Sequence, residues 1–162
     1  MPDASALHDS LRSIAQQTDE DMSERDVENL FLERGFYDAL DYEGTGTDIR
    51  SEFTLPDDRR PDYITLDTNE AVTAVYEFKT TGRDLPPHES QLFGYMEFLR
   101  SEYGVLTNGE QLRLYQRGED SPLIVLSLES VTESQARDLV SALQKREFNL
   151  TDPEHVNRFL SE

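Results

Sequence analysis

Apolar positions along the chain recur with two periods, and these divide it into helices and strands. Leu7, Leu11 and Ile14 stand at helical spacing within residues 4–16, which predicts a short amphipathic helix. Ser23 with Asp26 three residues on has the form of a capping box, with Asp in the usual Glu place. Val27, Leu30 and Phe31 then make one helical face, and Gly35 ends it. After a loop at 42–48 the period changes to two. Ile49, Ser51, Phe53 and Leu55 alternate along a strand over 49–55, and residues 56–61 form a turn. Residues 62–66 and 71–79 predict a hairpin, followed by a loop over 80–87. The helical period returns over 88–103, with Leu92, Tyr95, Met96 and Leu99 on its apolar side. Residues 104–116 predict two strands about an Asn108-Gly109 turn, 121–128 another strand, and 129–145 a helix. Asp152 as cap and Pro153 at the first helical position open a last helix that has no stop signal; it frays or continues into a longer protein. Strands between helices in this order predict an α/β domain, a mixed sheet flanked by helices.

Composition narrows the class. The 162 residues suit one domain, and the stretch of ~18 apolar residues that a membrane helix needs is absent. The first residues lack the basic start and apolar core of a signal peptide. There are no cysteines, which excludes disulfides and thiolate metal sites and points to the cytoplasm. Acidic residues number 34 against 15 Lys plus Arg, for a net charge of −19. Lys79 and Lys145 are the only lysines. Such a surface suits a salt-rich, halophilic cytoplasm, where screening removes the self-repulsion. An acidic partner surface or a nucleic-acid mimic would produce the same bias.

Lys79 closes the most apolar strand, two positions after Glu77. Strand side chains alternate, so the two share a side. A hairpin loop of two residues at Asn69-Glu70, or of four from Thr68 to Ala71, sets Asp62 opposite Glu77. A loop of three or five would instead set Asp62 opposite Tyr76 or Phe78. In the first register two carboxylates and an ammonium converge, a set able to hold a hard cation and a water. Magnesium takes one or two carboxylates and fills its remaining positions with water and phosphate oxygen. A plain cross-strand ion pair accounts for the same three residues. Gln91 and Tyr95, four apart, share a face of the following helix.

"PDY" at 61–63, "YEFK" at 76–79, "QLFGY" at 91–95 and "YGVLTNGEQLRLYQ" at 103–116 together resemble the PD-(D/E)XK nuclease domain. The closest variant stands at the N-terminus of type I restriction motor subunits and of single-chain type II restriction-modification enzymes. It carries a Gln-xxx-Tyr motif, matched by Gln91 and Tyr95, and a Thr-Asn-Gly turn, matched by Thr107, Asn108 and Gly109. The resemblance covers about residues 23–128. It implies a restriction-endonuclease-like core over 23–148, with a helical segment over 1–22 and the start of a linker or further domain over 149–162. It implies a Mg²⁺-dependent DNA endonuclease, Mn²⁺ substituting, with Asp62, Glu77 and the Phe78 carbonyl as metal ligands and Lys79 acting on the attacking water. It also implies an acid from the first core helix: Glu28 is preferred, with Glu24 and Glu33 as competitors. Gln91 and Tyr95 would support the site or touch the DNA backbone, and Arg59, Arg60 and Arg83 are candidate phosphate contacts. The implied partners are double-stranded DNA and a methyltransferase, motor or specificity unit outside these residues. Within them is neither a Walker motif nor a Gly-rich methyl-donor loop. The same fold without catalysis, as a DNA-binding or assembly module, is the alternative. A small acidic adaptor with a structural hairpin ion pair is a third.

Overall fold

The computed structural model of the protein describes residues 2–51, 54–56 and 60–145. Helices α1 (Ala4–Gln17), α2 (Glu24–Glu33) and the one-turn α3 (Phe36–Ala39) precede strands β1 (Ile49–Ser51), β2 (Tyr63–Leu66) and β3 (Val72–Phe78). Then follow α4 (Glu89–Leu99), β4 (Tyr103–Thr107), β5 (Gln111–Gln116), β6 (Ile124–Ser127) and α5 (Glu133–Leu143). The strands form one six-stranded sheet in sequence order. Only β3 and β4 run parallel, joined through α4; the other neighbours are antiparallel. The architecture is an α/β fold, a mixed sheet flanked by helices.

Alternation along β3 assigns the two faces. Ala74, Tyr76 and Phe78 enter the larger apolar cluster, with Leu7, Leu11 and Ile14 of α1, Val27 and Phe31 of α2, and Leu139 and Leu143 of α5. Val75 enters the smaller cluster, with Leu106, Tyr115 and α4 residues Leu92, Tyr95 and Met96. Helix α4 lies close on the sheet because β4 carries Gly104 beneath it. A Cβ there would stand 2.5 Å from Met96 Sδ and 3.2 Å from Leu92 Cδ1.

Local signals act where they were read, with some shifts. Ser23 and Asp26 complete the capping box of α2. The helix predicted over 88–103 stops at Leu99, because Arg100 turns left-handed (φ 54) and Ser101 N–H closes on the Met96 carbonyl; Tyr103 already pairs in β4. The helix predicted from 129 starts after Thr132, which forms a capping box with Gln135. Asp48 ties the 42–48 loop to the end of α5: its carboxylate accepts from the Glu43 and Gly44 N–H groups and from Lys145 Nζ at 2.7 Å. Phe53, the turn residues 57–59 and the last predicted helix lie outside the described residues.

The hairpin register has a cause that residue spacing hides. Leu66 pairs with Val72, which leaves Asp67–Ala71 in the loop, longer than either loop predicted to keep Asp62 opposite Glu77. Asp67 stabilises this loop by accepting from the Asn69 and Ala71 N–H groups. One step on, Thr65 pairs with Ala74, so Thr73 is an extra residue on β3. This β-bulge compensates for the longer loop. Thr73 Oγ1 is held by Thr65 Oγ1 at 2.7 Å and Tyr42 Oη at 2.8 Å. Beyond the bulge Tyr63 pairs with Tyr76, which sets Asp62 against Glu77.

Candidate active site

The C-terminal ends of the parallel strands β3 and β4 lie side by side, where α4 begins. Such strand ends are where open α/β sheets bind ligands. Glu77, on the α4 face of β3, is only 4% exposed. Its Oε1 accepts from the Asp62 N–H at 3.0 Å, and Asp62 Oδ2 accepts from the Phe78 N–H at 2.8 Å. The two carboxylates are thus interlocked through the backbone. A strand residue directs its N–H and C=O toward the same neighbour, so the Phe78 carbonyl lies on the Asp62 side of β3.

Lys79 extends β3 by one backbone hydrogen bond, its N–H to the Thr107 carbonyl at 2.9 Å. Its Nζ stands 3.9 Å from Glu77 Oε2 and 3.9 Å from Glu24 Oε1. These separations are Coulombic contacts, too long for hydrogen bonds. Glu24 and Glu28 lie one turn apart on α2 and reach the site from the opposite layer. Burial, the Asp62 charge and the Glu24 charge push the Glu28 carboxyl up to about 7, against a lowering by Arg25. Glu77 is raised by burial first and then by Asp62, outweighing the Asp62 N–H and Lys79. Asp62 is likewise raised by burial, against its Phe78 hydrogen bond. A buried and a half-buried carboxylate interlocked in this way cannot both ionise cheaply, and a proton or a cation relieves the repulsion.

The surrounding residues brace this centre. Gln91 Nε2 donates to Tyr95 Oη at 3.2 Å, and Tyr95 Oη donates to the Arg60 carbonyl at 3.4 Å, tying α4 to the segment that carries Asp62. Asn108 Oδ1 accepts from the Glu110 and Gln111 N–H groups, while its Nδ2 donates to the Arg83 carbonyl at 2.9 Å. Gly109 supplies the positive φ (85°) that this turn requires. The Thr-Asn-Gly turn therefore closes the β4–β5 hairpin and anchors the loop after β3.

Asp62, Glu77, Phe78, Lys79 and Glu28 are brought together, with Gln91 and Tyr95 beside them. Glu24 joins them, a competitor to Glu28 that proves to be its companion. Glu33 is exposed at the far end of α2. Arg60 and Arg83 are exposed near the site, and Arg59 lies outside the described residues. His88, beside Arg83, went unread in the sequence. Its signal was spacing: it precedes Gln91 by three and Tyr95 by seven, on one helical stripe.

Among the described residues no group of three or more His, Asp or Glu side chains stands ready to hold a metal ion. Two carboxylates and a backbone carbonyl are nevertheless a donor set that suits Mg²⁺, which completes its shell with water and phosphate. The described cavities lie elsewhere. One of about 210 Å³ is lined by Phe93, Met96 and Arg117 at the opposite end of the sheet, and one of about 550 Å³ by α1 and α3 residues including Asp3 and Asp38.

Among solved structures the chain is similar to part of the DrdV–DNA complex, determined by cryo-electron microscopy. The TM-score is 0.55 at 14% identity, over 85% of this chain. That overlap is 13% of the DrdV chain, so this protein matches a small part of a much longer one. At such identity the likeness is one of fold. Neither models of known protein families nor curated proteins match the chain by sequence. No described helix is long and apolar enough to cross a membrane.

Proposed function

We propose that the protein is a Mg²⁺-dependent DNA endonuclease domain of the PD-(D/E)XK type, the cleavage module of a restriction-modification system. The observation that carries this reading is the interlocked Asp62–Glu77 pair with Lys79 beside it, at the end of the parallel strand pair. A fold shared with part of a chain solved on DNA supports it. Asp62, Glu77 and the Phe78 carbonyl would hold the cation. Bound there, Mg²⁺ would acidify a water and offset charge on the phosphate. Lys79, 12% exposed between Glu77 and Glu24, orients the attacking water and counters charge on the phosphoryl oxygens. Glu28, with its raised affinity for a proton, and Glu24 orient water from the α2 side. Gln91 and Tyr95 fix the Asp62 segment relative to α4. Water attack on phosphorus forms the new P–O bond, and the 3′ oxygen leaves, giving a 5′-phosphate and a 3′-hydroxyl.

The test is cleavage of plasmid and linear duplex DNA by the purified chain in Mg²⁺ or Mn²⁺ across salt concentrations, beside Glu77→Gln. Metal-dependent cutting lost in Glu77→Gln supports the proposal. A wild-type chain that binds duplex DNA but never cuts it favours the catalytically inactive module.

A further inference from the structure

The loop after β3 carries a second polar unit beside the carboxylates. Arg83 Nε donates to His88 Nε2 at 3.4 Å, so this nitrogen uses its lone pair and the imidazole proton resides on Nδ1. Nδ1–H therefore remains a donor. Burial lowers the basicity of His88, and the neighbouring Lys79 and Arg83 charges lower it further, against Glu24. A ring whose Nε2 accepts from Arg83 is the neutral form, and the Arg83 charge is left uncancelled by it. His88 continues the Gln91–Tyr95 stripe of α4 toward Lys79.

This unit is held in place from several directions. The Arg83 carbonyl accepts from Asn108 Nδ2 at 2.9 Å, and Arg83 N–H donates to the Thr80 carbonyl at 3.1 Å. Gly82 N–H donates to Glu110 Oε1 at 2.6 Å, and Thr81 Oγ1 accepts from Met22 N–H at 3.2 Å. Leu85 is buried beneath, and His88 N–H closes on its carbonyl at 2.9 Å. A loop tied to the β4–β5 turn and to Met22 before α2 presents these side chains from an ordered main chain, which lowers the entropy lost on binding. In a chain of net charge −19, a guanidinium on an anchored backbone with a neutral donor beside it suits an anion next to the cleavage centre.

We propose that Arg83 and His88 together bind a backbone phosphate of duplex DNA next to the scissile one, through the guanidinium and the imidazole Nδ1–H. This rests on the nuclease reading and supplies its strand-positioning contact. Neither residue touches the reacting atoms, so both act in binding and orientation.

The experiment is anisotropy of a short fluorescein-labelled duplex in Ca²⁺ over a salt series, with Mn²⁺ calorimetry and thermal melts on every variant. The variants are Arg83→Ala, His88→Ala, His88→Asn and the Arg83→Ala/His88→Ala double. Arg83→Ala is expected to weaken binding and to make the slope of log K against log salt shallower by about one. His88→Ala is expected to weaken binding without that change in slope. His88→Asn, whose amide nitrogen takes the place of Nδ1, is expected to recover it. The double variant is expected to lose less than the product of the single losses, with Mn²⁺ affinity and melting unchanged throughout. Equal affinity and slope in wild type and single variants, with wild type binding and cutting, overturns this proposal and leaves the nuclease reading standing. A wild-type chain that neither binds nor cuts duplex DNA at any salt overturns both.

Discussion

Replacing Lys79 by alanine separates a catalytic centre from a structural ion pair. Lys79 stands 3.9 Å from two carboxylate oxygens, one on Glu77 with its side chain 5% exposed and one on Glu24 at 49%. At an effective dielectric of ~20 each contact is worth ~4 kcal/mol gross, before desolvation and ordering are charged against it. The Glu24 contact, half in water, nets about 0–1 kcal/mol. The Glu77 contact is more protected, but its loss does not strand a bare charge, because Glu77 already favours its proton and keeps the Asp62 N–H. The net cost is therefore about 1–2 kcal/mol, near the low end for an unmade buried partner. That lowers the melting temperature by roughly 2–8 °C in a domain of this size. Turnover responds differently. A positioned cation stabilising transition-state charge is worth about 10²–10³ in rate. Removing the ammonium also takes away a positive charge that repels a bound cation, so Mn²⁺ should bind as tightly as before or more so. Single-turnover cleavage, calorimetric Mn²⁺ titration and thermal melts on one preparation measure all three. Cleavage at the wild-type rate, or a larger melting loss accompanied by loss of Mn²⁺ binding, refutes the assignment of Lys79 to catalysis.

Metal-free stability should fall as pH rises from about 5 to 8 more steeply in wild type than in Glu77→Gln. A carboxyl with a raised folded-state pKa favours folding below its unfolded value, and this is lost as pH climbs through the folded one; equal slopes in urea titrations would count against the buried pair. The Asp48–Lys145 pair should show the opposite sign. Burial would raise Asp48, but the Glu43 and Gly44 N–H groups and Lys145 outweigh it and lower its pKa, so its contribution fades only as pH drops through that depressed value. Asp48→Asn should cost about 3 kcal/mol near pH 7, read by denaturant melts, with cleavage retained once folded. Gly104→Ala should cost about 1–3 kcal/mol, since Met96 must move before a methyl group fits; an unchanged melt would mean that α4 can lift from β4 freely.

Sequence patterning carried far for elements whose signals are local. The Ser23 cap, the Asn108-Gly109 turn and the apolar stripe of α4 each lie within a few residues of the structure they specify. The losses occurred where tertiary packing decides. Arg100 adopts a left-handed conformation that glycine usually marks, and no local signal announced it. The one-turn α3 is too short to show a period; its Phe36 and Tyr37 stack edge-on beneath Tyr76. Glu24 and Glu28 could not be separated by periodicity, because residues four apart share a face, and here both come near the hairpin carboxylates. His88 escaped notice because its partners are Arg83 and Lys79, joined to it by a loop whose course residue spacing does not determine.

The hairpin shows how a strand register can be reached from a mistaken loop. Loop length and register are coupled: one added residue moves every side chain of a strand to the other face. With Asp67–Ala71 in the loop, an unbroken β3 would have carried Glu77 away from Asp62. Thr73 breaks it, at a point where three hydroxyls meet: Thr73, Thr65 and Tyr42. Tyr42 Oη also donates to the Leu143 carbonyl at 3.0 Å, so the bulge is linked to the end of α5. The alignment of the two carboxylates thus depends on a hydroxyl network remote from them. Thr73→Val keeps the shape and removes the hydroxyl, leaving Tyr42 and Thr65 short of a partner. It should cost about 1–3 kcal/mol. If the bulge holds the register, this variant should also lose cleavage beyond what its fraction folded explains, while Mn²⁺ affinity falls with it. A Thr73→Val protein that melts lower yet cuts at full rate per folded molecule would show that the register near Asp62 is held by the Glu77 and Phe78 contacts alone.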